Sequence, residues 1–333
     1  MTHILITGGT GFIGIPLVKK LHDLGHDLTL LVRETSDVSP FKELQDIKYS
    51  IGDVRDIESI RNATKDIDVI YHLAAYTGIW AKDSSIYYDI NVNGTLNMAK
   101  VAMEKDLNLY YVSSFTALGP TPPEPVDETY ENDKLYMHYE KSKFQARKEI
   151  KNLIQKGLKT VIFYPGIVYG PGDFNIFGQM LFDIMRGKFM GCPGKGDSIA
   201  CFTYVKDLVN AMVKALNKED ILGEDFIIGG ENVKFIDYLN MIAEISETKK
   251  PRKVPMSLAK IYALFCELKS KITKKMPYIT RSTLNGMKYH RAYSSQKAID
   301  LLGYEFTPLR KGLEETIAWY QNFLQEKEEN LKK

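Results

Sequence analysis

Residues 4–14 read Ile4-Leu5-Ile6-Thr7-Gly8-Gly9-Thr10-Gly11-Phe12-Ile13-Gly14. A short apolar run leads into Gly8, Gly11 and Gly14, spaced three apart. In a strand-to-helix turn the first glycine permits the tight bend. The second lets the backbone approach a pyrophosphate, and the third lets the helix pack closely. The unpaired N–H groups and dipole of the following helix then face the phosphates. A lone glycine pattern is weak evidence. Here residues 15–24 read as a helix closed by Gly25, and a second strand at 28–32 (LTLLV) follows. That strand–turn–helix–strand context points to dinucleotide binding.

Working outward, apolar runs recur at 67–73, 109–112 and 160–164. Helical segments at 57–63, 92–104 and 139–155 lie between them. Short, fully apolar strands alternating with helices imply a parallel sheet covered on both faces. The expected fold class is α/β, a Rossmann-type doubly wound parallel sheet with a smaller, mostly helical C-terminal substrate lobe. After Gly166 the pattern loosens, with helices expected at 205–216 and 236–246 and a strand at 225–228. The expected domains are a nucleotide-binding domain over 1–170, with 197–232 returning to the sheet region, and a substrate lobe from 171–196 and 233–325. The charged tail 326–333 is expected to fray.

Bulk properties exclude several classes. The 333 residues carry a net charge of +2, so no polyanionic partner such as nucleic acid is implied. Cys192, Cys201 and Cys266 have no metal-ligand spacing and suit a reducing compartment. The start Met1-Thr2-His3 runs directly into a strand, which fits no secretory signal, and no apolar run is long enough to span a membrane. A cytoplasmic protein with a small-molecule substrate and no metal is expected. Helix 256–275 pairs apolar residues with Lys269, Lys271, Lys274 and Lys275, as interfacial helices do. A solvated basic end of a lobe helix is the favoured reading.

The residue ending the second strand selects between cofactors: an acidic group suits NAD, an arginine NADP. Arg33, with Thr35 and Ser36 nearby, leans towards NADP, while Glu34 could fold back onto Arg33. Asp53 suits an adenine amino group or, alternatively, a helix N-cap. Tyr139 and Lys143 stand four apart on an expected helix and so share a face. An ammonium beside a phenol favours the phenolate, which acid–base work requires. Ser113 and Ser114 end the strand at 109–112, on the side where ligands enter such sheets.

TGGTGFIG, GDV, HLAA (72–75), NVNGT (91–95), VSS, the Tyr139/Lys143 pair and YPGIVYGPG (164–172) occur in one order. FTYVKD (202–207), FIIGGEN (226–232) and YSSQKAIDLLGY (293–304) continue it. With these motifs the chain resembles the extended short-chain dehydrogenase/reductases of the NAD-dependent epimerase/dehydratase superfamily. LVRETSD (31–37) and SSFTALG (113–119) resemble the dihydroflavonol-reductase-like and farnesol-dehydrogenase-like branch, with 3-beta-type hydroxysteroid dehydrogenases more distant. The resemblance implies Tyr139 as proton donor or acceptor, Lys143 on the nicotinamide ribose, and Ser114 on the substrate oxygen. It implies Pro165, Ile167 and Val168 beside the nicotinamide, and Ala74 and Ala75 where the cofactor passes closely. Gly8, Gly11, Phe12, Ile13, Gly14, Arg33, Asp53, Val54 and Leu73 complete the cofactor set. Tyr76, Trp80 and Thr116 fall on the substrate side, and Asn91 is read as stabilising a helix start. Many extended relatives dimerise through the helices holding 92–104 and 139–155, whereas reductases of the dihydroflavonol type can act alone, so the resemblance leaves a homodimer and a monomer both open.

Departures from the pattern narrow the chemistry. Dehydratases place Asp-Glu after the Ser/Thr, where this chain has Phe115 and Thr116. Sugar-nucleotide enzymes place an arginine where this chain has Ala200, although Arg186 could substitute. Leu118 replaces a common tyrosine, and Tyr164 and Lys206 replace a common Arg and Asp; the last two are read as lying beside the site. Residues 180–190 and 261–265 are apolar and are read chiefly as core. The expected function is NAD(P)-dependent hydride transfer to or from an apolar ketone, aldehyde or alcohol. A nucleotide-sugar epimerase, and a non-catalytic NAD(P)-sensing module, are the alternatives.

Overall fold

A computed structural model describes residues 1–332. Six strands come first in the chain: β1 (His3–Thr7), β2 (Asp27–Val32), β3 (Lys48–Ile51), β4 (Val69–His72), β5 (Asn108–Val112) and β6 (Thr160–Pro165). With Asp225–Ile228 they form one seven-stranded sheet in the order Asp225–Ile228, β6, β5, β4, β1, β2, β3. Every pairing in it is parallel. The chain runs outward from β1 through β2 to β3, then crosses back to β4 on the other side of β1. The order therefore reverses between β1 and β4, and a ligand crevice opens beyond their carboxyl ends.

The strands lack polar alternation because both faces are buried. Leu5, Ile70, Leu109, Tyr111 and Ile162 enter one core with Ile60, Met98, Val101 and Ile150. Ile4, Ile6, Tyr71, Tyr110 and Phe163 enter a second core with Leu17, Val18, Leu21, Leu208 and Met212. Each fully buried side chain of this size stabilises by roughly 1.5–3 kcal/mol. The exception is β3, an edge strand with mostly exposed side chains, whose apolar signal is correspondingly faint.

Helix α1 (Gly14–Asp23) and helix Ile57–Ala63 match the expected spans to within a residue or two. The segment expected as one helix over 92–104 is a π-helical turn, Asp89–Gly94, followed by α-helix Thr95–Glu104. Beyond Gly166 lies a three-stranded sheet: Ile167–Tyr169 pairs in parallel with Ile199–Tyr204, which pairs antiparallel with Asn232–Lys234. None of these three strands was expected, whereas the helices expected at 205–216 and 236–246 lie at Val205–Leu216 and Phe235–Ile245. Helices Ile176–Met185, Phe235–Ile245, Met256–Thr273 and Leu309–Lys332 build the C-terminal part. Leu181, Leu239, Leu313 and Tyr320 join the first core, so this part packs continuously on the sheet. The helical backbone continues to Lys332, through the segment expected to fray, and Lys333 lies outside the described residues.

Candidate active site

The glycine turn closes at the strand-order reversal. Gly8 has φ +72°, and a Cβ there would lie 2.7 Å from the Ala74 backbone nitrogen. The end of β4 thus passes directly over the turn. A Cβ on Gly14 would lie 2.2 Å from the Gly8 carbonyl oxygen, so the third glycine closes the turn itself. Gly11 N–H donates to the Gly8 carbonyl at 3.0 Å. Helix α1 begins with no side-chain cap and no acidic residue in its first turn. Ile15 N–H donates to the Gly11 carbonyl at 2.9 Å and Pro16 has no N–H, which leaves the N–H groups of Ile13 and Gly14 for an anion. A pyrophosphate fits this cradle.

Beneath the turn runs a buried hydrogen-bond chain. Ala74 N–H donates to Thr7 Oγ1 at 3.2 Å, and Thr7 Oγ1 lies 2.8 Å from His72 Nδ1. His72 Nε2 lies 3.1 Å from Thr95 Oγ1, which donates to the Asn91 carbonyl at 2.9 Å. Since Thr95 spends its proton on Asn91, it accepts from Nε2–H, and Nδ1 accepts from Thr7. The network assigns one neutral tautomer. Burial, with the nearby Lys143 charge, holds His72 down at about 3.

Asn91 does more than start a helix. It lies fully buried in the π turn, and its Oδ1 accepts from Tyr76 N–H at 2.7 Å. Its Nδ2 donates to the Tyr76 carbonyl at 3.1 Å and to Ser142 Oγ at 2.9 Å. Ser142 lies on helix His138–Ile154, next to Lys143. Asn91 therefore ties the segment after β4 to the helix carrying Tyr139. The motifs around His72 and Asn91 were legible, but not this role, because its partners are 15 and 51 residues away.

Helix His138–Ile154 packs on the 3-10 turn Phe115–Ala117 that follows β5. Ser114 caps that turn. Its Oγ accepts from Thr116 N–H at 3.2 Å and from Thr116 Oγ1 at 3.0 Å. With both acceptor positions filled, the Ser114 hydroxyl proton is free to be donated. Thr116, read as substrate-side, is buried and spends its hydroxyl on Ser114 instead. Lys143 is buried, donates to the Val112 carbonyl at 3.2 Å and sits 5.2 Å from the Tyr111 ring centroid. Burial lowers its pKa, and the neighbouring Tyr139 works against that. Tyr139 is half-buried.

The residue after Tyr139 anchors the helix start. Glu140 is fully buried and accepts from Tyr136 N–H at 2.8 Å and Met137 N–H at 3.2 Å. Its other oxygen is paired with Arg291. The Arg291 guanidinium also lies 5.9 Å from the Phe115 ring centroid. Neither Glu140 nor Arg291 stood out in the sequence.

At the other end of the crevice, Arg33 is exposed at the end of β2. Its backbone N–H bonds Ser36 Oγ at 3.1 Å, and among the described residues it forms no ion pair with Glu34. Asp53 is not the N-cap of the next helix. Asp56 caps it, accepting from Glu58 N–H. Asp53 is gripped by Arg55 through Nε at 2.9 Å and Nη2 at 2.8 Å, which holds its carboxyl below the usual range. Gly94 packs on Val54, where a Cβ would lie 2.7 Å from Val54 Cγ2. Pro165 ends β6, and Ile167 and Val168 follow at once, with Val168 partly exposed. Tyr76 Oη donates to the Trp80 carbonyl at 3.0 Å. The Tyr76 ring meets Tyr87 edge-on at 4.9 Å, and Tyr87 stacks on His138 beside Tyr139. The 76–80 loop thus borders the start of the Tyr139 helix.

The model of the NAD dependent epimerase/dehydratase family matches residues 4–229. The chain belongs to that family. It is 26% identical over 326 residues to the sterol demethylase protein B of Methylococcus capsulatus, spanning 95% of this chain and 98% of the relative. It is 28% identical over 353 residues to the 3beta-hydroxysteroid-dehydrogenase/decarboxylase isoform 1 of Arabidopsis thaliana, covering 94% and 78%. The crystal structure of gox2253 superposes with a TM-score of 0.82 at 32% identity, covering 97% of this chain and 99% of that one.

Against the family pattern, two departures turn out to be packing. Tyr164 is fully buried; it accepts from Arg147 Nε and donates to Asp225, both at 3.1 Å. Lys206 pairs with Glu315 on the last helix at 2.8 Å. Ala200 has an arginine beside it after all, since it bridges the backbone of Arg291. That guanidinium pairs with Glu140 through Nη2, while its Nη1 is buried without a hydrogen-bond partner among the described residues. Arg186 is exposed, 5.4 Å from the Phe182 ring centroid.

Proposed function

We propose that this family member is an NAD(P)-dependent oxidoreductase acting on an apolar ketone, aldehyde or alcohol. The observation that carries the reading is the buried Lys143 beside Tyr139 on one helix, packed on the turn that aims Ser114. A nicotinamide dinucleotide bound at the glycine turn supplies or accepts the hydride. In reduction, Tyr139 gives its phenolic proton to the substrate oxygen, and Ser114 donates a hydrogen bond to the same atom. The Lys143 ammonium stabilises the phenolate left behind; in oxidation the proton returns to Tyr139. Thr116 fills the acceptor positions of Ser114 and so orients it. Arg33, exposed and free of Glu34, favours NADP over NAD.

The nucleotide-sugar alternative lacks the arginine expected at position 200, which leaves the exposed Arg186 as its candidate cation. Ala200 offers no charge, Arg291 already pairs with Glu140, and a desolvated diphosphate without a partner is costly. The names of two relatives, one for a sterol and one for a hydroxysteroid, support an apolar substrate.

Tyr139→Phe is the test. Turnover, followed as NAD(P)H absorbance, is expected to fall by about 10²–10⁴-fold, while cofactor affinity stays within a few fold. Retained turnover overturns the role of Tyr139. Epimerisation without net NAD(P)H change overturns the oxidoreductase reading.

A further inference from the structure

Most of the large apolar residues of helix Met256–Thr273 stay outside the core. Its buried stripe is Ala259, Ala263, Cys266 and Ser270, all small. The opposite stripe is Leu258, Ile261, Phe265, Leu268 and Ile272, at the 3–4 spacing of one helix face. All five are exposed, Ile261 at 66% and Ile272 at 83%. Leu264 beside them, and Met276 just beyond the helix, are exposed as well. Scattered surface apolar residues are ordinary, but a contiguous row marks a surface that something covers. The expectation that residues 261–265 pack in the core therefore fails for Ile261, Tyr262, Leu264 and Phe265.

Charge identifies the cover. Lys260, Lys269, Lys271, Lys274 and Lys275 are exposed on this segment and have no ion-pair partner among the described residues. The only acidic residue from 256 to 276 is Glu267, and Arg281 holds it at 2.9 Å. A second copy docked through the same face would bring lysines and no free carboxylate, so its charge would not be complemented. An anionic bilayer surface complements both features. Apolar side chains enter the acyl boundary while lysine heads reach the headgroups. No helix among the described residues is long and apolar enough to cross a membrane, so this one would lie in the surface plane.

We propose that helix Met256–Thr273 and Lys274–Lys275 form a membrane-surface docking face for anionic lipid. The proposal does not depend on which reaction the site performs. The experiment is co-sedimentation of the full chain with phosphatidylcholine vesicles, with and without phosphatidylglycerol. The wild type is expected to pellet with phosphatidylglycerol vesicles and to be released by salt. Ile261→Gln with Phe265→Gln should lower partitioning about 100-fold, from the lost burial of two large side chains. Lys271→Gln, Lys274→Gln and Lys275→Gln together should lower it roughly fivefold per lysine. Both variants should keep the wild-type melting temperature and the turnover of a water-soluble substrate. Wild type that stays in the supernatant with both vesicle types overturns the proposal. So does binding indifferent to headgroup charge, or a solution dimer that Phe265→Gln splits.

Discussion

Lowering the pH should weaken this fold through one residue, His72. Its imidazole is fully buried between Thr7 and Thr95 and is held at about 3 by desolvation, against about 6.5 in an unfolded chain. A depressed folded-state pKa means that the unfolded state binds the proton first. The stability contribution is therefore complete above about pH 6.5 and is lost as pH falls towards 3. At one pKa unit per roughly 1.4 kcal/mol, falling from pH 7.5 to pH 5 costs about 2 kcal/mol from this group alone. Many groups titrate in that range, so the comparison is with His72→Gln, which keeps a donor and an acceptor but cannot ionise. Urea unfolding of both proteins at pH 7.5 and pH 5 measures it. The variant starts less stable, and its deficit should shrink by about 2 kcal/mol at pH 5. A deficit that stays constant to within about 0.5 kcal/mol would mean that His72 is not held neutral. The hydrogen-bond chain under the glycine turn would then be wrongly assigned.

Arg291→Met should destabilise by about 3 kcal/mol, because it leaves the Glu140 carboxylate buried without its cation. Adding Glu140→Gln should recover part of that loss, and strictly additive urea-unfolding energies would refute the coupling. Arg33→Ser should weaken NADP binding tenfold or more and leave NAD nearly unchanged, since one charge-assisted hydrogen bond is worth about 1.5–3 kcal/mol; calorimetric titration with both cofactors decides it. Thr116→Val should lower kcat about fivefold, from one hydrogen bond of about 1 kcal/mol, with cofactor affinity unchanged. An unaltered kcat would show that Thr116 does not orient Ser114.

The glycine turn, the strand series and the Tyr139/Lys143 pair were legible because each depends on neighbours within a few residues. A turn needs its glycines, a helix face needs four-residue spacing, and a doubly buried strand needs an apolar run. The partner of Asp53 was not legible: Arg55 two residues on takes its carboxylate. The Thr116 hydroxyl could face either the substrate or Ser114, and only the backbone of the 3-10 turn sets it on Ser114.

The sequence by itself determined that the chain is a doubly wound α/β protein with a dinucleotide turn, since local periodicity and glycine spacing carry that information. Tertiary structure alone decided the rest. It set His72 between Thr7 and Thr95, Asn91 against the Tyr139 helix, and Arg291 against Glu140 across 151 residues. It also turned the apolar stripe of helix Met256–Thr273 outward. Amphipathic spacing shows that a helix has an apolar face, but only the packing of its small residues shows which face meets the protein.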